Sequence, residues 1–121
     1  WPTLQRRARG TRDVARAMAQ RIEAAVRWQA DKVRAEVAKA GVALRADLRR
    51  YQIAVKEVEV ARKVEAAERK MMLAGASTML LVNLREQARA DATLRQVEAA
   101  AELHIAQAQC EAALGVLHRA W

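Results

Sequence analysis

Between residues 11 and 73 the chain contains no proline and a single glycine, Gly41. An interior glycine costs a helix only ~1 kcal/mol, so the run is expected to stay helical from end to end. That is far beyond the ~8–20 residues of an ordinary globular helix and points to a coiled coil or a helical barrel. The one place where the chain must turn is Leu73-Ala74-Gly75-Ala76-Ser77-Thr78. Gly75 can take the left-handed conformation that ends a helix. Ser77 and Thr78 offer hydroxyls to the free N–H groups of a new helix. At the start, Pro2 disfavours helix in the residue before it, and Gly10-Thr11 offers a helix start with Thr11 as N-cap. The chain is thus expected to comprise an extended lead-in over 1–10, a long helix over 11–73, a tip at 74–78, a returning helix over 78–114 and a tail over 115–121.

The expected fold class is all-α: a long antiparallel helical hairpin, coiled-coil-like. Composition agrees. There is no Phe, aromatic residues make up 3%, and the dominant residue is Ala, the best helix former and a poor filler of space. The apolar content of 53% therefore overstates the core. Small side chains suit helices packed closely along their length better than a thick globular centre.

Periodicity says how many neighbours each helix needs. One stripe on the first helix runs Met18, Ile22, Val26, Val33, Val37, Ala40, Leu44, Tyr51, Val55, Val58, at the alternating three and four spacing of a seam. A second runs Trp28, Ala35, Val42, Ala46, Ile53, Val60, Val64, Ala67, Met71. The returning helix repeats the doubling. Its first seam is Ala90, Leu94, Val97, Ala101, His104, Ala108, and its second is Ala92, Ala99, Leu103, Ala106, Cys110, Ala113, Leu117. A lone hairpin can cover only one seam of each helix. The other would stay wet as an exposed apolar strip, the mark of an interface.

Charge narrows the partners. The net charge of +8 invites a nucleic-acid or anionic-membrane reading. Yet the basic cluster Arg6, Arg7, Arg9, Arg12, Arg16 is confined to the start, and acids interleave the rest. Acid-first pairs four apart (Glu23/Arg27, Glu59/Lys63, Glu65/Arg69, Asp91/Arg95) are the pattern of a solvated helix face. The scattered aromatics form no stacking platform, so no nucleic-acid partner is expected. No segment approaches the ~18 apolar residues of a membrane helix. The chain opens Trp1-Pro2-Thr3 with neither Met nor an apolar leader, which reads as an excerpt from a longer protein.

Catalytic chemistry finds no foothold. His104 and Cys110 lie six apart and point to different sides of a helix, His118 has no carboxylate nearby, and a metal site needs three or four convergent ligands. Ser77 and Thr78 are better explained as caps than as nucleophiles. Ala74-Gly75-Ala76 lacks the lysine and preceding strand of a phosphate loop. Met71-Met72 falls at seam spacing, where Met usually fills core. No catalytic residue, metal or cofactor is expected.

One longer pattern is more specific: Ala61-x-x-Val64-x-x-Ala67-x-Arg69-x-x-Met72-x-x-Gly75-x-Ser77-Thr78-x-Leu80-Leu81-Val82-Asn83-x-Arg85-Glu86, closing with Ala112-Ala113-Leu114-Gly115. It resembles the C-terminal half of the TolC family of outer-membrane efflux proteins, and Pro2-Thr3-Leu4-Gln5-Arg6 is similar to the stretch that follows that family's last barrel strand. The resemblance implies a homotrimer in the Gram-negative envelope, with this hairpin as part of a periplasmic α-barrel. It implies that the tip, Ala74, Gly75, Ala76, Ser77 and Thr78, docks a periplasmic adaptor (membrane fusion) protein coupled to an inner-membrane pump. It places Leu81, Asn83 and Leu84 at the periplasmic entrance, and passage would be passive. The outer-membrane strands would belong to regions outside this chain. Branches serving drug export carry acids just after the tip where this chain has Leu81 and Leu84, so an acid-lined iris is not implied. Met72 stands where the family often has an aromatic residue. A structural module of another kind, the coiled-coil hairpin of a periplasmic adaptor or an unrelated antiparallel coil, remains the alternative. Adaptor tips, however, usually carry an arginine, and 74–78 is uncharged. In the channel reading the Ala-rich seams would let helices slide during opening, and leucines at Ala99 and Ala106 would hinder it.

Overall fold

The computed structural model describes residues 1–115. Leu117, His118 and the rest of the tail beyond Gly115 lie outside the described residues. The described chain is all-helical: α1 spans Pro2–Leu73 and α2 spans Met79–Ala113. It divides into two compact units, Trp1–Ala38 and the residues from Lys39 on.

The expected lead-in is not extended. Helix α1 begins at Pro2 rather than at Thr11. Proline suits the first helical position, because its missing N–H would have had no intrahelical partner and its φ is already helical. The Gln5 N–H donates to the Trp1 carbonyl at 3.3 Å, closing the first turn. Gly10 then costs too little to break a helix already running. Thr11 is not a cap; its hydroxyl donates back to the Arg7 carbonyl at 2.9 Å. Through the first unit Met18, Ile22, Val26 and Trp28 are all exposed. Local contacts there stay within the helix, as in Glu23–Arg27 at 4.0 Å and Lys32 over the Trp28 ring at 5.4 Å.

The second unit is the antiparallel hairpin, in which α2 packs against the last part of α1. Its buried seam on α1 steps through Leu44, Asp47, Tyr51, Ala54, Val58, Ala61, Glu65, Glu68 and Met72, alternating three and four. Of the first stripe expected on α1, Leu44, Tyr51 and Val58 lie on this path, while Met18, Ile22, Val26 and Val33 are exposed and Val55 leaves it: Val55 is 37% exposed, whereas Ala54 is buried at 6%. On α2 the second expected seam is the buried one, with Ala92, Ala99 and Ala106 at 9% exposure or less and Leu103, Cys110 and Ala113 half-buried. Alanine meets alanine across this seam, so the helices approach closely with little volume to fill.

Ion pairs tie the two arms at intervals: Arg50–Glu102 and Glu57–Arg95, each at 3.5 Å, then Glu65–Arg89 at 2.9 Å and Glu68–Arg85 at 3.4 Å nearest the tip. The Asp91/Arg95 pair expected along α2 does not form. Arg95 crosses to Glu57 instead, because its seam-flanking position faces α1. Glu59–Lys63 does form, at 3.1 Å on the outside of α1.

Candidate docking site at the hairpin tip

The tip is built by its backbone first. Gly75 has φ +77, the left-handed region, and its N–H donates to the Met72 carbonyl at 3.0 Å. The next N–H, of Ala76, reaches the Met71 carbonyl at 2.8 Å. These paired bonds are the Schellman termination, which satisfies carbonyls that the end of α1 leaves free. A Cβ at residue 75 would meet nothing within 4 Å, so the demand for glycine is purely conformational. Gly75→Ala is accordingly expected to cost about 1 kcal/mol, read as a lower midpoint in thermal unfolding.

Thr78 restarts the helix. It is extended, with φ −119 and ψ 158, and its side chain accepts from the Leu81 N–H at 3.4 Å. Ser77 was expected to share this capping and does not. Its hydroxyl donates to Glu68 Oε1 across the turn. The reason is position: Ser77 is half-buried beside the seam, where an unpaired carboxylate oxygen needs a donor more than an exposed N–H does.

Behind the tip lies a polar cluster that hydrophobic patterning missed. Glu65 and Glu68 are buried, at 6% and 9% exposure, on seam positions of α1. Glu65 Oε2 is ion-paired with Arg89 Nε, and its Oε1 accepts from Arg69 Nη2, each at 2.9 Å. Glu68 Oε2 accepts from Arg85 Nε at 3.4 Å, while Oε1 takes Ser77. Arg69 also reaches Glu86 on α2. Every oxygen of the two buried carboxylates is therefore engaged, and no buried side-chain polar atom among the described residues lacks a partner. The signal was present in the sequence. Stepping on from Tyr51 by three and four leads to Glu65 and Glu68, and Arg85 and Arg89 sit four apart on the facing helix.

Around the turn, Ala74, Gly75, Ala76 and Thr78 are exposed, and the apolar side chains Leu73, Met79 and Leu80 stand 83%, 63% and 69% exposed. The tip is thus an uncharged, apolar knob on an ion-paired base. Leu81, Asn83 and Leu84 of the proposed entrance are exposed as well, while Val82 turns inward at 3%. Leu81, Leu84 and Ala88 share one side of α2, three and four apart.

That side continues as a groove of about 490 Å³ between the arms, lined by Ile53, Val60 and Val64 of α1 and by Ala88 and Ala92 of α2, with Arg85 and Arg95 among its polar borders. His104, expected at the polar rim of a seam, is exposed on the outer face of α2. Cys110 is a half-buried free thiol. Among the described residues no helix is long and apolar enough to cross a membrane, and no group of His, Cys, Asp or Glu gathers to hold a metal ion. Comparison with protein-family models, curated proteins and solved structures gives no match.

Proposed function

We propose that this chain is the tip-bearing periplasmic hairpin of a TolC-like outer-membrane efflux channel subunit. In this reading it is one stave of a homotrimeric α-barrel and conducts exported molecules passively, without a catalytic step. Residues 74–78, together with the exposed Leu73, Met79 and Leu80, would dock a periplasmic adaptor protein coupled to an inner-membrane pump. The observation that carries the reading is the second apolar stripe left uncovered on each arm. Ile53, Val60 and Val64 on α1, and Leu94 and Val97 on α2, are exposed although the hairpin seam itself is complete. A two-helix coil has no use for these stripes, whereas a stave with neighbours on both sides does. The alternative of an adaptor hairpin is weakened by the same stripes and by a tip without charge.

The test is made in cells on the intact protein. Ala76 is exposed and outside both helices, so Ala76→Arg leaves the seam and the ion-paired base untouched. The variant is expected to reach the outer membrane in normal amount and as a trimer, yet to lose at least about 90% of export of a fluorescent substrate, because a buried unpaired charge abolishes an apolar contact. Full export by the variant, or fractionation of the unaltered protein outside the outer membrane, would sink the proposal.

A further inference from the structure

Helix α1 is exposed without interruption over residues 1–36, and its charges and apolar residues are sorted to different sides. At 3.6 residues per turn Leu4, Ala8, Ala15, Met18, Ile22 and Val26 fall within an arc of about 80°. Leu4, Met18, Ile22 and Val26 stand 61% to 65% exposed. The only polar residue in that arc as far as Val26 is Thr11, whose hydroxyl is already committed to the Arg7 carbonyl at 2.9 Å. Residues 1–22 hold six arginines and a single acid, Asp13. Arg7 and Arg21 border the strip on one side, Arg12 and Arg16 on the other, while Asp13 lies at the back. The next two acids, Glu23 and Asp31, are held by Arg27 at 4.0 Å and Arg34 at 3.6 Å. The bordering arginines have no such partner among the described residues.

We propose that this unit lies on an anionic lipid surface, its apolar strip sunk to the acyl boundary and its arginines at the headgroup phosphates. A helix with one basic and one aliphatic face binds in the plane of the interface, through apolar area and attraction to anionic lipid together. Arginine stems can stay against the strip while their guanidinium groups reach the phosphates. The unit lies on the bilayer and does not cross it, since no described helix is long and apolar enough. The contact is peripheral, and separate from the strands that the channel reading assigns to regions outside this chain. Other occupants fit less well. Nucleic acid has no use for an aliphatic strip. A second copy would set arginine against arginine along both borders. A protein groove is read by bulky anchors, whereas alanine alternates with aliphatics here and no aromatic falls within the arc. Neither the tip nor the hairpin's stripes take part, so this contact and the export function can fail separately.

The experiment floats the purified full chain with vesicles of phosphatidylcholine alone, or of phosphatidylcholine with about 30% phosphatidylglycerol to supply a negative surface potential. Binding to the anionic vesicles is expected to be at least about ten-fold tighter, and most of that preference should vanish at ~1 M NaCl. Arg12→Gln/Arg16→Gln should weaken binding about 25-fold, at roughly five-fold for each charge. Ile22→Gln/Val26→Gln leaves the charge unchanged and should still weaken binding by about ten-fold or more. Ala17→Gln/Ala24→Gln, on the opposite side of the helix, should stay within about two-fold. Circular dichroism checks that all three variants remain helical. In chains whose own tryptophans are replaced by phenylalanine, Met18→Trp should shift its emission to the blue on vesicles and resist an aqueous quencher. Ala24→Trp should stay quenchable. Absent binding, whether or not the chain self-associates, overturns the proposal. So do equal binding to the two vesicle types, equal losses from the glutamine pairs on the two sides, or tighter binding to duplex DNA than to the anionic vesicles.

Discussion

Replacing Arg85 and Arg89 together by alanine is expected to destabilise the hairpin by about 3 kcal/mol, whereas replacing their partners by Glu65→Leu/Glu68→Leu should change stability by less than about 1 kcal/mol or raise it. Both variants delete the Glu65–Arg89 and Glu68–Arg85 pairs, and the leucine variant also removes Glu65–Arg69. They differ in what is left behind. The carboxylate side chains are 8% and 11% exposed, while those of Arg85 and Arg89 are 46% and 47% exposed. Without the arginines, two carboxylates stay inside the seam with only Arg69 and Ser77 to serve them. Without the glutamates, the arginines swing into water, and leucine fills positions that the seam spacing already marks as apolar.

Urea unfolding followed by far-UV circular dichroism, repeated over a concentration series, measures both variants. The ordering is the decisive result. Equal losses, or a greater loss for the leucine pair, would mean that the glutamates are not buried in the way that makes their desolvation costly. Salt offers a second reading of the same physics. Exposed pairs such as Glu59–Lys63 are screened at ~1 M NaCl, but the difference between the variants should largely persist, since a seam carboxylate is shielded from counterions.

These glutamates also show where sequence reasoning stops. The α2 seam was legible because Ala92, Ala99, Leu103 and Ala106 keep one phase, although the bulkier Leu94 and Val97 of the other stripe are exposed. On α1 the pattern slipped at one step, where the bulkier Val55 drew it away from the buried Ala54, and it returned to the seam at Val58. Hydrophobic size is a weak guide in a seam of alanines, since proximity of the helices and not side-chain bulk decides what is covered. Beyond Ala61 the seam turns polar, and a rule that searches for apolar residues cannot follow it. Glu65 looked like the first half of an exposed pair with Arg69. That pair does form, at 2.9 Å, but the carboxylate's burial depends on α2 and on Arg89, far along the chain. Ser77 was misread for the same reason: its partner, Glu68, comes from the preceding helix. The turn itself was readable because Gly75 and Thr78 act through their own backbone neighbours. The start at Pro2 was not, because the glycine and threonine that resembled a boundary are weaker signals than a proline at the first helical position.

Ala99→Leu combined with Ala106→Leu is expected to cost the hairpin about 4 kcal/mol, with opening concentrated in the arms away from the tip. Both alanines are buried, at 9% and 4% exposure, in a seam whose facing residues include Ala54 at 6%. Ala99 borders an open groove, but at both sites the added isopropyl groups must start from within the seam and push the helices apart, at ~1–3 kcal/mol for each site. The sites are seven residues apart, about 10.5 Å along the helix, so their costs should nearly add. The ion-paired base near the tip is not touched. Hydrogen exchange should therefore show lost protection over 99–113 and retained protection over 82–92, a local opening and not a global one. Ala108→Leu is the control: the same chemical change on the exposed outer face, expected to stay within about 0.5 kcal/mol. If the control costs as much as Ala99→Leu, helix propensity and not seam packing governs the result. If Ala99→Leu/Ala106→Leu costs nothing, the seam is loose enough to admit leucine, and the idea that its shallow alanines are what let α1 and α2 slide during channel opening loses its physical basis.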